Sequence, residues 1–188
     1  GAGAVWASVG PPVSCLFGRS GEGPTDLLAG TLVLPSVSQF IKCVLLLLAL
    51  ATVWLCEDSD FTDHVGEFLA LLLLATTGMM FLISTANLLM VFVALELVSL
   101  SLYVMTAFDK RSPRSAEAAL KYFLFGGMAA AFTLFGFSLL YGLSGSIRLP
   151  EIAAALASRG TDPLALAAIV MVLAGFGFKI AAVPFHLW

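Results

Sequence analysis

LLMVFVALELVSLSLYVMTAF, residues 88–108, is an apolar run of 21 residues with one acid, Glu96, eight residues from its start and twelve from its end. At about 1.5 Å per residue, a helix of this length crosses the roughly 30 Å hydrocarbon core of a bilayer. A carboxylate near mid-depth costs a few kcal/mol on insertion scales, so the fold should supply it with a partner. Two lysines in later apolar runs, Lys121 and Lys179, are the available candidates.

The rest of the chain has the same character. Of its 188 residues, 60% are hydrophobic and only 11% charged, with a mean hydropathy of +1.03. Soluble domains are about half apolar and a quarter charged, so these values define an integral membrane protein. A net charge of −3 offers no basic footprint for nucleic acid. Cys15, Cys43 and Cys56 are odd in number and lack metal-ligand spacing, and packing explains the two in or beside an apolar run. The chain has no glycine-rich nucleotide fingerprint, no CxxC and no pair of inward-facing haem histidines, so it is expected to bind no redox cofactor or metal. GAGAVWASVG, at the start, has no basic region ahead of an apolar one, and no signal peptide is expected. The stop at Trp188, just after an apolar segment, points to a piece of a larger protein.

Five spans are expected, at about 36–56, 67–85, 88–108, 116–141 and 163–185. They form one transmembrane domain over residues 36–188. Residues 1–35 are rich in Gly, Pro and Ser and are expected to be a loop or the end of an earlier span. EDSDFTDHVGE (57–67) holds five acids and His64 in eleven residues; a solvated loop explains them better than a metal site. The short STAN connection (84–87) makes the second and third spans antiparallel neighbours. Ser115 is the expected cap of the fourth span, with Glu117 in its first turn. Along that span Gly126, Gly127, Ala129, Ala130, Ala131 and Gly136 form a small-residue surface that another helix can approach closely. A short amphipathic helix is expected near 150–158, outside the membrane. Lys110, Arg111 and Arg114 place the 109–114 loop on the cytoplasmic or matrix side.

The last span carries Lys179 and then a helix breaker. Pro184 cannot donate to the carbonyl of Ile180 and crowds it, so the helix should break or kink there, with Gly175 and Gly177 softening the turn before it. Broken helices at membrane depth are tolerated where they are buried in protein or line a wet cavity, and transporters use them to hold ions. His186, two residues past the break, is a possible proton relay. A buried acid and two buried amines are suited to proton transfer, because pairing and desolvation pull protonation in opposite directions. The same three residues could instead be ionic glue between helices.

ALELVSLSLYV, SAEAALKYFLFGGMAAAFTLFG…LLYGLSG and GFGFKIAAVPFHLW, in this order, closely resemble the subunit N family of NADH:quinone oxidoreductase (respiratory complex I). The mitochondrial counterpart is NADH dehydrogenase subunit 2. The resemblance runs from about Asp26 to Trp188. It implies an all-α, polytopic, antiporter-like bundle of about fourteen helices in two inverted repeats, with an interrupted helix near Lys179–Pro184 here. Carried over by motif, Glu96 matches the glutamate of ELxSL, Lys121 the lysine of EAALKY, and Lys179 the lysine of FKxxxxPFHxW. The family pairs that glutamate with the interrupted-helix lysine, and protons are thought to pass through the lysines. The implied function is a proton-translocating membrane-arm subunit with no redox centre of its own. FMN, iron–sulfur clusters and quinone would sit in partner subunits, beside antiporter-like and small membrane subunits, in a mitochondrial or bacterial inner membrane. A cation/proton antiporter subunit and a structural scaffold are the alternatives. The departure is length: the second repeat and its lysine-bearing helices do not follow PFHxW. Either a separate chain supplies that half or the sequence is partial.

Overall fold

The computed structural model describes residues 26–27, 32–33, 36–57, 64–159, 162–183 and 185. In chain order these form β1 (Asp26–Leu27), β2 (Leu32–Val33), α1 (Ser36–Glu57), α2 (Val65–Ser84), α3 (Leu88–Thr106), α4 (Pro113–Ser144), α5 (Leu149–Arg159) and α6 (Pro163–Lys179). Among the described residues, α1 to α4 are long and apolar enough to cross a membrane, and α6 is a shorter apolar helix of 17 residues. The chain is thus a multi-pass helical membrane protein. Where a loop or the end of an earlier span is expected, the described residues of 1–35 form a two-residue antiparallel ladder, Asp26 opposite Val33 and Leu27 opposite Leu32. Of the acidic loop at 57–67, residues 58–63 lie outside the described residues; His64 precedes α2 and approaches Glu67 at 3.5 Å.

α2 and α3 form a hairpin around Asn87. Its side chain accepts from the backbone N–H groups of Leu89 (3.0 Å) and Met90 (3.3 Å), satisfying two amides that begin a helix and have no carbonyl to reach. Asn87 itself is held by Thr85, whose hydroxyl accepts from the Asn87 N–H at 3.0 Å. The same turn is latched to the loop after α4: Leu88 N–H donates to Ile147 (2.8 Å) and Leu149 N–H to Ala86 (2.9 Å). One end of the bundle is therefore tied by backbone hydrogen bonds between segments some sixty residues apart in sequence. Because Asn87 is buried, Asn87→Ala is expected to cost about 1 kcal/mol, with Asn87→Ser recovering most of it. Thermal denaturation of the purified chain measures this, and equal midpoints for Ala and Asn would show the cap to be dispensable.

The fourth span begins one turn earlier than its sequence pattern indicates. Ser112, not Ser115, is the cap, accepting from the Ser115 N–H at 3.4 Å, and Pro113 takes the first helical position, where its missing N–H is no loss. Ser115 instead donates its hydroxyl to the Thr106 carbonyl at 2.6 Å, fastening the start of α4 to the end of α3. At its far end α4 stops on Gly145, whose φ of 70° is left-handed and whose N–H closes on Tyr141 at 2.7 Å. With 32 residues, about 48 Å, α4 is longer than the hydrocarbon core and must tilt or project from it.

Of the small-residue surface expected on α4, Gly126, Ala129 and Gly136 are buried, whereas Gly127 and Ala131 are exposed. The buried members face two different helices. Gly126 meets Tyr103 of α3, while Gly136 and Ala129 meet α6. A Cβ at Gly136 would fall 2.9 Å from the Ala168 carbonyl, and one at Gly175 would fall 2.8 Å from the Ala129 carbonyl. The α4 and α6 backbones thus touch at two points, as small residues permit where no hydrophobic effect draws helices together in lipid. The core beside this contact is Leu88, Phe137, Leu140, Ile152 and Ala168, so the amphipathic α5 closes one end of it.

Candidate functional site

Glu96 lies in the middle of α3, and α6, clamped against α4 at Gly175, ends at Lys179 directly in front of it. The Lys179 ammonium is 3.5 Å from Glu96 Oε1 and donates a hydrogen bond to the Ser99 hydroxyl. Ser99 in turn donates to the Leu95 carbonyl at 2.7 Å. At 3.5 Å the pair is at the long limit of a direct hydrogen bond, so the amine is shared between serine and carboxylate. Both side chains are largely buried, 15% exposed for Lys179 and 25% for Glu96. Lys179 also ends its helix, where the carbonyl end of the dipole favours a cation.

The helix breaks immediately beyond the lysine. The Ile180 N–H still reaches Phe176 (3.0 Å), but Ala181 takes φ of 51°, and Ala182 N–H turns back to Gly177 at 2.8 Å. Gly177 makes room for this: a Cβ there would come within 3.2 Å of the Phe185 ring, which folds back over it. The fifth span expected at 163–185 therefore ends at Lys179. Pro184 and His186 lie outside the described residues.

Lys121 is placed elsewhere. It pairs with Glu117 one turn earlier at 2.5 Å, with side chains 57% and 63% exposed, in a shallow hollow shared with Thr106, Arg114 and Tyr122. Of the three charges singled out in the sequence, the structure brings Glu96 and Lys179 together and leaves Lys121 in its own exposed pair. The next residue, Tyr122, does border the site, stacking edge-on with Tyr103 (centroids 4.7 Å apart) and lying 6.4 Å from Phe178.

Two residues of the site escape notice in the sequence, Ser99 and Tyr103. They follow Glu96 by three and seven positions, which puts all three on one helical face, and that spacing is the signal that marks them.

A polytopic helical bundle whose interrupted helix presents a lysine to a mid-membrane glutamate is an antiporter-like membrane subunit. Consistent with this, the family described as NADH:quinone oxidoreductase/Mrp antiporter, transmembrane, matches residues 84–188, more than half of the chain, and the chain belongs to that family. Relatives include NADH-quinone oxidoreductase subunit N 2 of Acidobacterium capsulatum, 57% identical over 174 residues that cover 88% of this chain and 35% of that protein. The F(420)H(2) dehydrogenase subunit N of Methanosarcina mazei is 41% identical, with 86% and 33% covered. Among solved structures, a chain of respiratory complex I from Thermus thermophilus superposes with a TM-score of 0.70 at 41% identity, over 87% of this chain and 35% of that one. The membrane-bound sulfane sulfur reductase, an archaeal respiratory complex, shares the fold with a TM-score of 0.74 at 24% identity, over 98% of this chain and 38% of that one. The chain spans about a third of the length of these relatives.

Proposed function

We propose that this chain is the proton-handling part of a membrane-arm subunit of an NADH:quinone oxidoreductase. The observation that carries this reading is the ion pair formed where the apolar helix α6 breaks off, Lys179 against Glu96 in the middle of α3. Structural ion pairs do not need an interrupted helix. A break at this depth is tolerated beside a wet cavity, where its loosened backbone allows the lysine to move.

In this mechanism, charge movement in neighbouring subunits separates the pair and restores it. An amine in a low-dielectric site holds its proton more readily beside a carboxylate than apart from it, so separation favours release and return favours capture. At an effective dielectric constant of about 20, a displacement of the ammonium by about 1–2 Å changes its attraction to the carboxylate by about 1–2 kcal/mol. Lys121, in its exposed pair with Glu117, is the next station, reached through surfaces that other helices or subunits complete. His186 relays protons past the break. Electron transfer belongs to partners that hold FMN, iron–sulfur clusters and quinone, and this chain has no redox centre.

The family also contains cation/proton antiporters, in which the same pair would work without redox partners. Purification of the chain from its native membrane separates the two. Flavin- and iron–sulfur-containing subunits together with NADH:quinone oxidoreductase activity are expected to accompany it. Isolation with ion-translocating subunits alone, and cation-dependent proton exchange, would overturn the oxidoreductase assignment.

A further inference from the structure

The Tyr103 side chain is buried, and among the described residues its hydroxyl makes no well-formed hydrogen bond. Ser99 is close enough to act on it as a hydrogen-bond partner, although the bond is not well formed, and Glu96 and Tyr122 lie within electrostatic reach. Its position is built rather than accidental. The hydroxyl occupies the hollow over Gly126, where a Cβ would overlap it, and the ring is held edge-on by Tyr122 and by Phe123 at 5.8 Å. A buried hydroxyl without a well-formed bond is costly, and phenylalanine would fill the same volume without that cost.

Ser99 explains why a hydroxyl is there. Its oxygen has one proton and two lone pairs. The proton goes to Leu95, and one lone pair receives Lys179. When the lysine withdraws, that buried oxygen loses its donor. We infer that Tyr103 is a positioning residue that donates to Ser99 when Lys179 leaves. Departure of the amine then exchanges one hydrogen bond for another, so the docked and withdrawn states of Lys179 lie closer in free energy than the amine's own bonds would set them. The bond from Tyr103 to Ser99 stays poorly formed while the lysine is docked and closes when the lysine moves. The inference rests on the proposal that Lys179 moves protons.

The test is a double-substitution cycle in the assembled, membrane-reconstituted complex, reading the rate of proton translocation, the assembly and the thermal midpoint. Tyr103→Phe is expected to assemble normally, with an unchanged or higher midpoint, and to slow translocation by about 2- to 10-fold, the factor that one hydrogen bond of ordinary net strength represents. In a Ser99→Ala background the same substitution is expected to have no further effect, because the acceptor is gone. A purely structural tyrosine would leave the rate unchanged, or alter it equally in both backgrounds, and either result overturns the inference. Lys179→Ala run alongside separates the two levels. If it slows translocation and Tyr103→Phe does not, only the role of the tyrosine is lost; if it has no effect, the proposal for Lys179 falls as well.

Discussion

Gly136→Ala and Gly175→Ala are each expected to destabilise the protein by about 1–3 kcal/mol, while Gly127→Ala stabilises it by about 0.5–1 kcal/mol. The substitution is the same and only the surroundings differ. At Gly127 an added Cβ meets nothing within 4 Å, so alanine simply lowers the freedom of the unfolded backbone. At Gly136 it would sit 2.9 Å from a backbone carbonyl of α6 and 2.7 Å from Val172, and at Gly175 it would meet Thr133 and the Ala129 carbonyl. Backbone cannot step aside as a flexible side chain can, so α4 and α6 must separate. That displacement shifts the last turn of α6, and with it Lys179, relative to Glu96 on α3. Loss of function in these two variants should therefore accompany loss of stability, as measured by the thermal midpoint of the detergent-solubilised protein. Equal midpoints for all three alanine variants would mean that the helices do not meet at these glycines.

Much of the fold could be read directly from residue order. The apolar runs were long and separated by short polar connections, and Pro184 after Lys179 announced that the last helix would not continue. The break falls nearer the lysine than the proline alone implies, because Gly177 allows Phe185 to fold back and Ala181 enters the left-handed region. Burial was far less legible. Helices that are apolar all round carry little periodic signal, so nothing in the pattern distinguished Gly126 and Gly136, which face neighbours, from Gly127, which does not. The same weakness hid the environment of Lys121, whose pair with Glu117 is an ordinary contact one turn along the helix. Ser99 and Tyr103 read as routine members of an apolar helix, because only the fold brings Lys179 to Ser99. The latch between Asn87 and Arg148 joins distant segments through backbone groups, which side-chain patterns do not report.

The larger functional effect is expected at the ion pair. At 3.5 Å and an effective dielectric constant of about 20, the gross attraction between Lys179 and Glu96 is about 5 kcal/mol, most of which is lost when the two separate. Glu96→Gln keeps the side-chain shape and an acceptor oxygen but removes the charge that, in the proposed mechanism, toggles the amine, so translocation should fall about tenfold or more while the complex still assembles. Lys179→Ala removes the protonatable group itself and leaves the carboxylate without its cation. Its effect should be at least as large, and the two substitutions together should cost little more than the worse of them, as for residues acting as one unit.

The most direct measurement is the number of protons moved per NADH oxidised by the complex carrying Lys179→Ala, reconstituted in sealed vesicles and compared with the unaltered complex. A proton station at Lys179 requires the ratio to fall, or both translocation and coupled oxidation to fall while an assembled complex persists. An assembled complex with the unaltered ratio at an unaltered rate would contradict it.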